Sequence, residues 1–407
     1  MTLVVRPITE NERPQFHRLL GLAFGFDPTD EGLVAFDATL ERERTMCAFD
    51  GGQMIGTAGA FSLDMTVPGG VALVAGTTMV SVLATHRRRG VLRQMMRAHL
   101  DEARDHGDAM AALWASESSI YGRFGFGSAA SRVEAKLERG HAHFPASPLG
   151  AGAVRLVELE EAKQLLPIVF EQTRHMRPGM INRSAADWEH GVFRDPETRR
   201  ADATSYRYAV YEERGAPRGY VQYRAKEEWD EDGSPKGEVR ITELQGVDLA
   251  ASDNLWRYVS SIDLIREISY WNLPIDDPLP WLLADPRRLT RRISDSLWMC
   301  PIDIPAALSA RKYSREGRLV IEVHDDFNPW NTGTYVLETD GDETLCSPTS
   351  SEPEVRLAAA DLGAIYLGGV RLLTLYAAGR AQGSLDDLHR ADAMFTWHPA
   401  PWCQEIF

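Results

Sequence analysis

The segment that most limits how this chain can fold runs from Thr77 to Leu100. Thr77-Thr-Met-Val-Ser-Val-Leu83 is β-branched and apolar, as a buried strand requires, and Arg87-Arg88-Arg89-Gly90 follows it closely. Apolar residues then return at helical spacing, at Val91, Leu92, Met95, Met96 and Leu100. The order is strand, basic loop, helix. A helix N-terminus offers backbone N–H groups without intrahelical partners and the positive end of the helix dipole, and a glycine there lets an anion come close. Arg87 and Arg88 add charge and forked donors. Alone, Arg-Arg-Arg-Gly would suit a solvated turn equally well; its place after a buried strand makes it read as a phosphate cradle.

Arg87-Arg88-Arg89-Gly90-Val91-Leu92 resembles the R/Q-x-x-G-x-G/A loop with which GNAT-superfamily N-acetyltransferases hold the pyrophosphate of acetyl-CoA, with Leu92 in place of the usual small residue. Downstream, Trp114-Ala-Ser116-Glu-Ser-Ser-Ile-Tyr121-Gly-Arg-Phe-Gly125-Phe-Gly127 resembles that superfamily's Y-x-x-x-G-F segment. Together the two are similar to one branch, the Eis (enhanced intracellular survival) aminoglycoside N-acetyltransferases. The likeness continues through Asp277-Pro-Leu-Pro280, Ile304-Pro-Ala-Ala-Leu308, Leu362 to Gly368 and the terminal Phe407. It implies a mixed α/β chain of the α+β class: a catalytic GNAT domain at 1–148, a degenerate GNAT-like domain at 149–290 and a sterol-carrier-protein-like domain at 291–407. It further implies acetyl-CoA as acetyl donor, polyamine or aminoglycoside substrates and a homohexamer.

At 407 residues, two or three domains are expected without any resemblance. The 59 acidic against 44 basic residues give a net charge of −15, which argues against nucleic acid as a partner. Cys47, Cys300, Cys346 and Cys403 lie far apart with no C-x-x-C pair, so neither a zinc site nor a disulfide framework is indicated, and no metal is expected. Neither an apolar leader nor a run long enough to span a membrane is present, and a cytoplasmic enzyme is expected.

Along the chain, Thr9-x-x-Glu12 is a capping-box pattern before a helix at Phe16–Phe24, and Thr29 or Asp30 can cap a second helix running to about Glu43. Asp50-Gly51-Gly52 marks a hairpin ahead of the central strand. Ser128–Glu138 reads as the last strand of the first domain, and Phe144–Gly152, rich in Pro, Ala and Gly, as a boundary. The second domain repeats a similar order, yet Gly246-Val-Asp-Leu-Ala-Ala-Ser-Asp253 is acidic where the first has arginines, so it is not expected to bind CoA. The third region is expected to start with a strand at Ser296–Pro301. Its order resembles the sterol-carrier fold, read as a structural module rather than a lipid tunnel.

Acetyl transfer needs a neutral amine, a stabilised oxyanion and a proton for the departing thiolate. Tyr121, in its motif, reads as the acid; out of it, a core tyrosine would serve as well. Thr77–Leu83 holds no carboxylate, where many superfamily members keep a catalytic glutamate. The resemblance implies instead the α-carboxylate of Phe407 as base, ionised at its ordinary pKa of ~3.3–3.7. Trp402, Ile406 and Phe407 give that tail apolar surface with which to dock. By the same resemblance, backbone donors at Val80 and Val82, the loop Arg87, Arg88, Gly90 and Val91, and Ser116 hold acetyl-CoA, while Asp27, Phe36, Met79 and Glu405 line the amine pocket. A lysine acetyltransferase of similar chemistry and a non-catalytic lipid-binding or scaffold protein are the competing readings.

Overall fold

Largely buried strands joined through a two-glycine turn build the first sheet. In the computed structural model, which describes residues 3–407, strands β1 (Leu3–Pro7), β2 (Thr45–Asp50), β3 (Gln53–Val67), β4 (Gly70–Val82) and β5 (Met110–Trp114) stand side by side in that order. The sheet continues with Leu297–Pro301 and ends with the short strand Gly127–Ser128. Gly51 and Gly52, both at positive φ, close the β2–β3 hairpin as their sequence requires. Helices α1 (Arg13–Phe24), α2 (Asp30–Asp37), α3 (Val91–His106) and α4 (Ser118–Tyr121) complete this part. Glu12 accepts the Thr9 N–H at 2.8 Å, as the capping box predicts. Thr29 caps α2 through the Gly32 N–H at 3.1 Å, but α2 stops at Asp37 rather than near Glu43.

Two expectations about strands are corrected. Only Gly127 and Ser128 of the stretch Ser128–Glu138 and its flank join the first sheet; Ser131–Glu138 lies in the second, between Leu289–Asp295 and Ile265–Pro274. Conversely Leu297–Pro301, expected to open the third region, pairs antiparallel with β5. The period-two pattern that buries Val133, Ala135 and Leu137 signals a strand correctly but carries no information about its partner, because pairing is long-range.

The chain forms two compact units. One comprises residues 1–130, 178–182 and 296–407; the other comprises 131–177 and 183–295. The second is built on its own seven-stranded sheet, completed by Gly237–Gly246, Ala216–Lys226, Arg207–Glu213 and Ala153–Val157. Within the first unit, a five-stranded sheet (Thr344–Pro348, Gly333–Thr339, Gly317–His324, Val355–Ala358, Ala381–Gly383) shares one apolar core with the seven-stranded sheet. Met110, Leu297 and Met299 of the latter pack in the same cluster as Leu319, Ile321, Leu362 and Ile365. The amino- and carboxyl-terminal regions are thus one body.

A fully buried cation helps close that body. Arg311 donates to the carbonyls of Tyr366 and, at 2.9 Å, of Phe395, which end the helices Ala359–Ile365 and Leu385–Phe395. Its guanidinium lies 4.5 Å from the Tyr313 ring centroid and 5.0 Å from that of Phe395. Two helix C-termini, each bearing partial negative charge, and aromatic faces offset the desolvation of the charge. All four cysteines are free thiols. Among the described residues no helix is long and apolar enough to cross a membrane.

Candidate active site

The site begins with a defect in β4. Its pairing with β3 slips by one residue opposite Thr57–Gly59, and Met79, in the bulge, takes φ +54°. The Thr57 hydroxyl pins the bulge, donating to the Met79 carbonyl at 2.6 Å and lying 2.8 Å from Ser81 Oγ. On its other edge β4 is parallel to β5 only from Val74 to Gly76. Past Gly76 the two strands part. The Leu83 N–H is spent on the Ile55 carbonyl at 2.9 Å, so strand alternation turns the N–H groups of Val82 and Val80 toward the gap. These are ladder donors for an extended, amide-bearing ligand such as a pantetheine arm.

At the end of β4 the chain forms the basic loop. Gly90, at φ +79°, precedes α3, and no side chain caps that helix terminus. Arg88 also takes a left-handed backbone, at φ +62°. A Cβ at Gly90 would meet nothing within 4 Å, so the approach to the α3 amides is open. The geometry is that of a pyrophosphate cradle.

One cavity of about 790 Å³ unites these features. It brings together Val80, Val82, Arg87, Arg88, Gly90 and Ser116 with Tyr121. Val91, also expected to touch the cofactor, is buried in the core, leaving its backbone to contribute. The cavity is also lined by His86, a residue of the same loop, and by Arg93 and Arg123, which sequence reasoning missed. Arg93 falls one turn into α3 from Gly90, and Arg123 lies inside the Tyr-Gly-Arg-Phe motif, so helical spacing and motif position were the available signals. Four arginines in one cavity of a chain with net charge −15 match a polyanionic ligand.

Tyr121 is seated among Met96, Phe124 and Phe126, with its ring edge-on to Phe126 at 6.0 Å. Burial raises its phenol above the ordinary value, a hydrogen bond with Ser116 opposing and the charge of Glu117 adding. The phenol therefore keeps its proton at neutral pH. Behind β4, fully buried His99 places Nε2 2.8 Å from Thr77 Oγ1; burial, and then the charge of Arg44, lower its pKa to about 4. It is a neutral support for the strand.

The amine-side residues fall into separate groups. Phe36 and Met79 pack against the same cluster, with Phe16 and Leu20, and the Phe36 ring stands edge-on to His17 at 5.0 Å. Asp27 is exposed between α1 and α2, and Glu405 is half-buried in the tail. The Phe407 ring lies against β4: a Cβ built on Gly76 would be 3.3 Å from Phe407 Cδ2. Gly76 is also the last residue of β4 paired to β5, so the end of the chain rests where the strands part. None of these five lines the basic cavity.

The second unit has the corresponding strand and helix but closes both positions. Asp248 caps the helix Leu249–Ser261 by accepting the Ala251 N–H at 2.9 Å, occupying with negative charge the place where a phosphate would sit. Beyond Ile241 the strand Gly237–Gly246 parts from Ile265–Pro274, and aromatic side chains fill the gap. Trp271 Nε1 donates to the Thr242 carbonyl at 3.1 Å, and the Leu244 N–H reaches the Tyr270 hydroxyl at 3.4 Å.

Comparison with known proteins finds two acetyltransferase domains followed by a sterol carrier protein domain. Acetyltransferase (GNAT) domain models match residues 4–129 and 179–299, and a sterol carrier protein domain model matches 304–404. An uncharacterized N-acetyltransferase of Streptomyces avermitilis is 39% identical over the whole of both chains. N-acetyltransferase Eis of Mycobacterium tuberculosis is 33% identical over 97% of each. The crystal structure of Eis1 from Mycobacterium abscessus superposes with a TM-score of 0.86 at 30% identity, covering 99% of this chain and 100% of that one. With the open basic loop and the parted strands of its first sheet, this chain belongs to the Eis family of GNAT N-acetyltransferases.

Proposed function

We propose that the protein transfers the acetyl group of acetyl-CoA to one or more amines of aminoglycosides and related cationic substrates, with Tyr121 as general acid and the terminal carboxylate of Phe407 as general base. The observation that carries this reading is the single cavity joining the arginine loop, the open β4 edge and the Tyr121 phenol. Arg87, Arg88 and the α3 amides would bind the pyrophosphate, Val80 and Val82 the pantetheine amides, and Ser116 would lie beside that arm. Val91 would add its backbone N–H. The attacking amine adds to the thioester carbonyl and gives its proton to the Phe407 carboxylate; the C–S bond breaks, and the Tyr121 hydroxyl protonates the sulfur. Asp27 and Glu405 would attract the cationic substrate, and Phe36 and Met79 would shape its pocket.

Thiol release from acetyl-CoA in the presence of kanamycin-type amines, with acetyl groups counted by mass spectrometry, tests the reaction and its multiplicity. Absence of amine-dependent thiol release across an aminoglycoside panel overturns the substrate assignment. For the cradle, Arg88→Ala is expected to weaken acetyl-CoA binding by about tenfold to a hundredfold, the worth of a charge-assisted contact of ~1.5–3 kcal/mol, while amine affinity is unchanged. Arg88→Gly, which also suits the left-handed backbone, is expected to show the same loss, separating charge from backbone strain. Calorimetric titration with acetyl-CoA measures both; an unaltered affinity rejects the phosphate role.

A further inference from the structure

Five residues from the middle of the chain, Pro178 to Asn182, belong to the first unit although the chain on both sides of them belongs to the second. They form a short antiparallel addition to β3 along the edge that β2 leaves uncovered beyond Gly59. Gly179 N–H donates to Thr66 O at 2.8 Å, Thr66 N–H to Met180 O at 2.8 Å, and Met65 bridges to Ile181. Asn182 closes the register twice: its N–H donates to Asp64 O at 3.1 Å, and its side-chain Oδ1 accepts the Asp64 N–H at 2.9 Å.

The other face of the same segment carries the carboxyl-terminal tail. Trp402 N–H donates to Pro178 O at 2.8 Å, and Trp402 is buried. Gly179 has φ +94°, and a Cβ there would lie 2.9 Å from Trp402 O and 3.2 Å from Trp402 C. Both its backbone conformation and the space beside it exclude a side chain, and the excluded volume is tail backbone, which cannot swing aside as a flexible side chain would. Five residues beyond Trp402 the chain ends with the Phe407 ring against Gly76 of β4.

We infer that Pro178–Asn182 is the element that positions the terminal carboxylate, with Gly179 as its positioning residue: β3 fixes the segment, the segment fixes Trp402, and Trp402 fixes the reach of the last five residues into the parting of β4 and β5. The inference rests on the reading of the Phe407 carboxylate as base. A rigid link matters because a misplacement of ~1 Å at a reacting group can cost on the order of 10²-fold in rate.

The test uses the full-length enzyme with a native carboxyl terminus. Gly179→Ala is expected to lower kcat by about tenfold to a hundredfold with acetyl-CoA affinity unchanged, since the cradle lies on other elements. Asn182→Ala, which loosens the segment without a clash, is expected to lower kcat by about threefold to tenfold, and it carries the test should Gly179→Ala fail to fold. The decisive comparison is non-additivity: in an enzyme lacking Phe407, either substitution is expected to change the residual turnover by less than about twofold, because the group it positions is gone. A full multiplicative loss in that background overturns the inference and makes the segment a general structural element. Wild-type turnover without Phe407 sinks the base reading itself. Impaired turnover without Phe407, together with normal turnover of both Gly179→Ala and Asn182→Ala, sinks only the positioning role.

Discussion

Extending the chain beyond Phe407 is expected to reduce turnover by ~10²–10⁴-fold, the contribution of general-base catalysis, while leaving the fold and acetyl-CoA binding intact. Extension turns the terminal carboxylate into an amide and carries the nearest free carboxylate away from the gap. The Phe407 ring already abuts Gly76, in a cluster shared with Phe61 and Trp114, so added residues have no room to fold back at the same place. The cradle is untouched, because the residues that build it, Val80 and Val82 at the far end of β4, the arginine loop and the start of α3, do not include Gly76, where Phe407 rests. An amino-terminal tag serves as the control and is expected to be harmless. Full turnover of a carboxyl-terminally tagged enzyme with the same amines would move the base elsewhere, to Glu117 at the cavity or to a water relay.

The parts of this molecule that were readable in the sequence are those whose signal is local. The strand, the arginine loop and α3 follow from composition and spacing over some twenty consecutive residues, and each holds in the structure. The acidity of Gly246–Asp253 is also a local signal: it reads as ill-suited to a phosphate, and in the structure Asp248 occupies that helix terminus as its cap. Strand partners were not readable. Ser131–Glu138 and Leu297–Pro301 each carry a sound strand pattern, but which sheet they join depends on contacts that arise only when distant segments meet. Pro178–Asn182 is the extreme of this kind, since five residues with one glycine give no periodicity, and their role lies wholly in what lies on either side of them. Arg93 and Arg123 were missed for a third reason: a solvated surface arginine and a ligand-facing one look alike until the cavity wall is known.

Tyr121→Phe is expected to lower kcat and kcat/KM together by ~10²-fold or more, with little change in the KM for acetyl-CoA, because the lost hydroxyl acts only as the C–S bond breaks. The substitution is nearly isosteric, and the ring keeps its edge-on contact with Phe126 and its place beside Met96 and Phe124, so packing survives it. The pH profile separates this role from a structural one. Burial holds the wild-type phenol above its ordinary pKa of ~10, so its proton is available throughout the neutral range, and the loss of turnover from its ionisation falls on the alkaline side of that value. That alkaline limb is expected to vanish in Tyr121→Phe, whose residual rate draws its proton from water. Parent-level turnover in the variant, or an alkaline limb that persists unchanged, would reduce Tyr121 to a core tyrosine and leave protonation of the thiolate to solvent.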